Sequence, residues 1–115
     1  MTSFEEELER NGTLVFTNKG RSMMPLLRQD RDLMVIERKG PERCKKYDVI
    51  LFKRDGKYVL HRILKVRERD YYVVGDNHRR GESVKDSQIL GVMTQVVRDG
   101  LRAVWRRIRK LWKRD

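Results

Sequence analysis

Two short segments of this sequence carry side chains that together could hydrolyse an amide bond. Ser22 lies in residues 20–25 (GRSMMP), just after Gly20, where a tight turn can expose its hydroxyl. His61 lies in residues 61–63 (HRI), and its imidazole titrates near neutral pH, so it can take the proton of such a hydroxyl. These residue types predict a serine nucleophile with a histidine general base.

A carboxylate is expected to complete this group, because a hydrogen bond to the second ring nitrogen fixes the tautomer of the histidine. Asp76, within residues 75–77 (GDN), Glu82 and Asp86 all follow His61, and the residues by themselves do not choose among them. Taken singly, each segment also has an ordinary interpretation as a turn or as part of a strand. Their occurrence together, in this order, favours the catalytic interpretation.

The order of these segments resembles the signal peptidase I clan, which also contains the SOS-repressor autoproteases. The resemblance runs from about Thr13 to about Val97, and residues 83–87 (SVKDS) with Gly91 resemble the last conserved box of signal peptidases. In the bacterial enzymes and the repressors the base is a lysine, whereas the endoplasmic-reticulum and archaeal type has a histidine. The resemblance therefore implies the Ser-His branch.

Within that branch, the resemblance implies that Ser22 is the nucleophile and that its backbone N–H is one oxyanion-hole donor. It implies His61 as the base and slightly favours Asp86 over Asp76 as the orienting carboxylate. A substrate-binding edge is implied at Met23, Met24 and Pro25, although methionines beside leucines usually serve packing.

The chain departs from the family pattern around the nucleophile. Some relatives carry a hydroxyl residue at the position of Gly20, where it helps to hold the oxyanion. Arg21 replaces a residue that is small in the endoplasmic-reticulum type, and the stretch between Asp76 and Asp86 is longer than in either branch. These differences concern the shape of the pocket.

Composition favours a small domain of one core. The chain has 115 residues, which support one compact unit, and its single cysteine, Cys44, excludes an internal disulfide and suggests a reducing compartment. His61 and His78 lack ligand-like spacing with Cys44, so we expect neither a metal nor another cofactor. No segment reaches the roughly 18 consecutive apolar residues that cross a bilayer, and the acidic N-terminal residues are unlike a secretory signal, so a form without a membrane anchor is expected.

The hydrophobic pattern predicts a mainly β fold: a small coiled antiparallel β domain over residues 1–97, with a short N-terminal helix that Ser3 and Glu6 cap and that ends near Asn11. The predicted strands are Thr13–Thr17, Leu33–Glu37, Val49–Lys53, Tyr58–Val66, Tyr71–Val74 and Ile89–Val97. The predicted turns and loops are at Asp55-Gly56, Arg69-Asp70 and Gly40-Pro41.

Residues 98–115 predict a basic amphipathic helix that carries about +6 of the net charge of +11. Its apolar positions recur at intervals of three and four residues: Leu101, Val104, Trp105, Ile108, Leu111 and Trp112. Tryptophan on the apolar face and arginine on the polar face suit an anionic membrane surface, which Leu101, Trp105, Ile108 and Trp112 would contact. Packing on the β domain or on a second copy is the alternative, and the oligomeric state stays open. Nucleic acid is a less favoured partner, because no nucleic-acid-binding motif accompanies the charge.

These features together predict a serine endopeptidase that cleaves an extended leader or signal-like segment through an acyl-enzyme. By resemblance, the substrate would bind as an added β-strand with small uncharged side chains before the scissile bond. The expected location is the cytoplasm or the cytoplasmic face of the membrane. The alternative function is a non-catalytic peptide-binding module that docks on membrane or nucleic acid through its basic tail.

Overall fold

Strands make up just over half of the residues described by the structure, a computed structural model of the chain. The structure describes residues 4–17 and 32–98. Its elements are α1 (Phe4–Asn11), β1 (Thr13–Thr17), β2 (Leu33–Arg38), β3 (Val49–Arg54), β4 (Lys57–Val66), β5 (Tyr71–Val74), β6 (Glu82–Val84), the 3-10 turn η1 (Asp86–Gln88) and β7 (Ile89–Val97).

The predicted mainly β class is confirmed. All six predicted strands are present with bounds within one residue of those expected, and the helix ends at Asn11 as expected. The three-residue strand β6 was not predicted, because a run of that length carries too little alternation to stand out from the loop around it. Ser3 and the predicted tail helix beyond Arg98 lie outside the described residues.

Among the described residues, α1 is the only α-helix. It ends where Gly12 takes a φ of +73° and donates its N–H to the carbonyl of Leu8 at 2.8 Å, which satisfies an otherwise unpaired carbonyl of the last turn. With eight residues this helix is short, and in the described part of the chain no helix is long and apolar enough to cross a membrane.

The seven strands form one antiparallel sheet in the order β1-β2-β7-β3-β4-β5-β6. The turn between β3 and β4 has Asp55 at φ +49° and Gly56 at φ +77°, the two consecutive left-handed residues of a tight hairpin, which confirms the turn predicted there. This hairpin sets Ile50 opposite His61. On the far side of β4, Val73 of β5 pairs with both Ile63 and Glu82. His61 and Glu82 therefore lie on the same face of the sheet.

Apolar side chains pack on both faces of the sheet. β3 shows this most clearly, because its first four residues are buried hydrophobics and successive side chains along a strand point to opposite faces. Leu51 packs on the face that α1 covers, whereas Ile50 and Phe52 pack on the other. The first cluster comprises Leu8, Leu14, Met34, Ile36, Val49, Leu51 and Leu60. The second comprises Cys44, Ile50, Phe52, Ile63, Tyr71, Val73, Val84 and Ile89. His61 belongs to the face of the second cluster.

Gly91 lies where β7 packs closely on β2. A Cβ atom at this position would lie 2.5 Å from Cγ2 of Ile36 and 2.8 Å from the carbonyl oxygen of Glu37, and both neighbours belong to the paired strand β2.

We therefore expect Gly91→Ala to lower the free energy of unfolding by about 1–3 kcal/mol, the usual cost of overpacking a core. Urea denaturation measures this change. Gly40→Ala is the matched control, because nothing lies within 4 Å of its Cβ position, and it should change stability by less than about 0.5 kcal/mol. Equal effects of the two substitutions would contradict the packing argument.

Candidate active site

His61 lies in the middle of β4 with only 7% of its surface exposed. The ring of Phe52, on the neighbouring strand β3, meets the imidazole at 5.9 Å between centroids and an angle of 67°. The strand pairing on both sides of β4 fixes the backbone of this residue, so the ring is presented from a rigid element. A base held in this way needs little reorganisation to act.

One nitrogen of the His61 ring is buried without a hydrogen bond. Nδ1 has no hydrogen-bond partner in the described part of the chain. The nearest carboxylate oxygen is Oε1 of Glu82, at 3.8 Å, beyond hydrogen-bonding distance. The same oxygen accepts a hydrogen bond from the Arg54 guanidinium, so Glu82 lies between an arginine and the imidazole. β3, β4 and β6 each supply one of these residues, so the packing of the strands, and not their proximity along the chain, brings the three side chains together.

Burial lowers the pKa of His61 below its ordinary value of 6.5. The carboxylate of Glu82 acts in the opposite direction and raises this pKa, while His78 and Arg54 lower it further and Asp76 raises it. The net direction keeps the imidazole neutral at pH 7. A neutral imidazole is the form that can accept a proton from a hydroxyl.

His78 also contacts the His61 ring. Its imidazole stands edge-on to that of His61, at 5.6 Å between centroids and 85° between planes. The residue belongs to the loop between β5 and β6, and its backbone N–H donates to the carbonyl of Gly75 at 2.8 Å. The sequence singled out His78 only as a poor metal ligand, and the contact with His61 could not be read from spacing along the chain.

Asp76 lies near His61 but is engaged by Arg62. The guanidinium donates from Nε and Nη2 to the two carboxylate oxygens, at 2.8 and 2.9 Å. Arg62 also donates to the carbonyl of Tyr47 at 2.9 Å. Asp76 therefore anchors the loop that carries it to the adjacent strand and to the loop before β3.

Asp86, the carboxylate that the family resemblance favours, lies in a different network. Tyr71 donates its hydroxyl to Asp86 Oδ1 at 2.6 Å, while Lys39 and Arg43 lie 3.4 and 3.3 Å from the carboxylate. The hydrogen bond from Tyr71 is the main reason that the pKa of Asp86 is lowered. The contacts described for Asp86 do not include His61. The geometry thus favours Glu82 over Asp86 and Asp76 as the carboxylate next to the imidazole.

Cys44 belongs to this second network rather than to the candidate site. Its backbone N–H donates to the Tyr71 hydroxyl at 3.1 Å, and burial raises the pKa of its thiol. A thiol with a raised pKa is a poor nucleophile at neutral pH. The network of Arg43, Tyr71 and Asp86 fastens the loop before β3 to β5 and η1.

The predicted nucleophile Ser22 and the predicted edge at Met23, Met24 and Pro25 lie outside the described residues, as do Leu101, Trp105, Ile108 and Trp112. The structure does describe where the chain re-enters the sheet after the segment that carries Ser22. Asp32 is fully buried there, and Arg98 at the end of β7 donates to its carboxylate at 2.8 Å. This ion pair joins the beginning of β2 to the end of β7.

The described residues contain no group of three or more metal-ligating side chains arranged to hold an ion. A scan against models of protein families gives no match, and a search of curated protein sequences gives none either. The functional assignment therefore depends on the chemistry of the site and on the sequence segments.

The sequence did not indicate that Arg54 and His78 lie near His61. It left Glu82 as one of three carboxylates that could orient the imidazole. The available signal was the alternation of Glu82 with Val84, since an apolar residue two positions away marks the inward face of a strand. That signal identifies a face only when the segment is known to be a strand. The sequence did not show this for β6.

Glu82→Gln should lower the pKa of His61 further, because it removes the negative charge that favours the imidazolium. Arg54→Gln should raise this pKa, because it removes a nearby positive charge. Titration of the imidazole resonances by NMR gives both values, with Glu68→Gln in the exposed turn after β4 as a charge-matched control that leaves the pKa unchanged. If Asp86→Asn shifts the pKa of His61 and Glu82→Gln does not, the placement of Glu82 beside the ring is wrong.

Proposed function

We propose that this protein is a serine endopeptidase that cleaves a leader or signal-like segment of a peptide, with Ser22 as nucleophile and His61 as general base. The observation that carries the proposal is the environment of the His61 side chain. It is buried on a central strand, its pKa is lowered so that it is neutral at pH 7, and one ring nitrogen faces a carboxylate. A histidine that serves packing alone does not need a carboxylate at the edge of its ring.

The proposed reaction follows from the two groups. His61 accepts the proton of the Ser22 hydroxyl while the serine oxygen attacks the peptide carbonyl, and the backbone N–H of Ser22 donates to the developing oxyanion. The protonated imidazole then gives its proton to the leaving amine as the C–N bond breaks, which leaves an acyl-enzyme. Water, deprotonated by the same imidazole, hydrolyses the ester. The carboxylate beside Nδ1 stabilises the imidazolium in each half of the reaction.

An extended substrate would find a strand edge close to the nucleophile in sequence. In the described part of the chain β1 pairs only with β2, so its other side offers backbone N–H and C=O groups. β1 ends at Thr17, five residues before Ser22. Addition of a peptide strand to such an edge supports binding through main-chain hydrogen bonds. We propose Met23, Met24 and Pro25 as neighbours of the bound peptide.

Labelling with a serine-directed acylating probe tests the nucleophile. Mass spectrometry should locate the label on Ser22, and Ser22→Ala should abolish labelling and reduce peptide cleavage by about 10³-fold or more without unfolding the protein. Ser87→Ala is the matched control, because this exposed serine of η1 has no role in the proposal. Unchanged turnover in Ser22→Ala would refute the assignment of Ser22.

The pH dependence of cleavage tests the base. Because His61 must be neutral to accept a proton, kcat/KM should rise through a pKa below 6.5 and level off near neutral pH. His61→Ala should lower kcat/KM by about 10²–10⁴-fold across this range. A variant that stays active, while Lys57→Ala or Lys65→Ala is inactive, would assign the reaction to a lysine base instead.

We further propose that the basic segment 101–114 holds the protein at an anionic membrane surface. Support comes from the sequence, in which Trp105 and Trp112 share the apolar positions and arginine and lysine occupy the others.

The protein should co-sediment with vesicles of anionic lipid at low salt, and added salt or Trp105→Glu should each weaken binding, with Trp105→Phe as control. If the protein ignores anionic vesicles at low salt, the segment packs on protein instead.

A further inference from the structure

The loop between β5 and β6, residues 75–81, is anchored at both ends. At its beginning, Arg62 holds Asp76 through two hydrogen bonds of 2.8 and 2.9 Å. At its end, the N–H of Gly81 donates to the Tyr72 hydroxyl at 3.1 Å. Gly81 is also packed so closely that a Cβ atom there would collide with the carbonyl oxygen of Val73. The course of the loop is therefore set by contacts with the sheet.

This loop touches the proposed general base. The His78 ring lies against the His61 ring at 5.6 Å between centroids. Arg79 and Arg80 follow His78 directly, so their Cα atoms lie within about 4 and 8 Å of the His78 Cα along the chain. Gly81, the next anchor, comes immediately after them. The backbone of both arginines is thus held close to His78, whose ring contacts His61.

The side chains of Arg79 and Arg80 are exposed, and neither makes a hydrogen bond or ion pair with another described residue. The arginines on β3 and β4 differ, because Arg54 is paired with Glu82 and Arg62 with Asp76. The two carboxylates nearest the loop are therefore occupied by other cations. Two guanidinium groups remain, each able to bind a carboxylate through two parallel hydrogen bonds.

We propose that Arg79 and Arg80 form a subsite for acidic side chains of the substrate, at the positions that follow the scissile bond. The inference rests on the proposed function, because His61 gives its proton to the leaving amine and must therefore lie beside the portion of substrate that departs. The loop lies on the same side of the site as His61, because its residue His78 contacts the His61 ring. An aspartate or glutamate shortly after the cleaved bond would lie within reach of the arginine pair.

Cleavage of a synthetic peptide library tests the subsite in the active protein. Library members carry Asp or Glu, or the matched Asn or Gln, on either side of a cleavable segment, and mass spectrometry identifies the products. The protein should favour acidic residues after the cleaved bond by about fivefold in kcat/KM, as expected for two solvent-exposed ion pairs, and the preference should decline with added salt. The double variant Arg79→Gln/Arg80→Gln should lose this preference while it cleaves the neutral peptides as before.

A charge-matched control separates the subsite from the overall positive charge of the protein. Lys65→Gln/Arg69→Gln removes two exposed cations at the opposite end of β5, near the turn between β4 and β5, and should leave the preference unchanged. An equal loss of preference in both double variants, or a preference for acidic residues only before the cleaved bond, would overturn the proposal.

A binding measurement distinguishes failure of the subsite from failure of the proposed function. Fluorescence anisotropy with the full chain carrying Ser22→Ala compares a labelled extended peptide containing two glutamates with its glutamine counterpart. The glutamate peptide should bind about fivefold more tightly, and the Arg79/Arg80 variant should remove this difference. If the protein neither cleaves peptides nor labels at Ser22, the proposed function fails, and equal binding of the two peptides overturns the subsite.

Discussion

The central position of β4, hydrogen-bonded to β3 on one side and to β5 on the other, determines where the candidate catalytic groups of the described structure lie. Because the side chains of a strand alternate between its faces, the same pairing that buries Ile63 also buries His61. Burial then removes water from the imidazole, and this loss of solvation is the main cause of its lowered pKa. The sheet thus places the imidazole of the candidate base and also lowers its pKa.

Two of the ion-pair networks on this scaffold fasten loops, and another ion pair lies beside the imidazole. Arg62 with Asp76 anchors the loop after β5, and Arg43 with Asp86 and Tyr71 anchors the loop before β3. Such partly exposed pairs contribute little to stability individually, but each fixes the position of a backbone segment next to the sheet. Glu82 differs, because it lies between Arg54 and His61 and influences the charge of the candidate base.

Three carboxylates follow His61 in the sequence, and their order along the chain does not show which of them lies beside the imidazole. Asp86 is the carboxylate that the sequence resemblance favours, but its oxygen atoms contact Tyr71, Lys39 and Arg43. Glu82 was only one of three open alternatives in the sequence, yet its Oε1 atom lies 3.8 Å from Nδ1 of the imidazole. The position of β6 in the sheet, and not the order of the carboxylates along the chain, therefore decides which of them lies beside the imidazole.

The sequence by itself determined the local elements: α1, the six longer strands and the Asp55-Gly56 turn follow from alternation, β-propensity and residues that tolerate left-handed backbone. It also determined which residues could act as nucleophile and base, because these roles depend on the kind of side chain. Only the tertiary structure decided that Glu82, Arg54 and His78 surround His61, that Asp86 belongs to another network, and that β6 is a strand. The reason is that these facts depend on the strand order and pairing register of the sheet. They bring together residues such as Arg54 and Glu82, which are 28 positions apart, and no pattern within one segment encodes that distance.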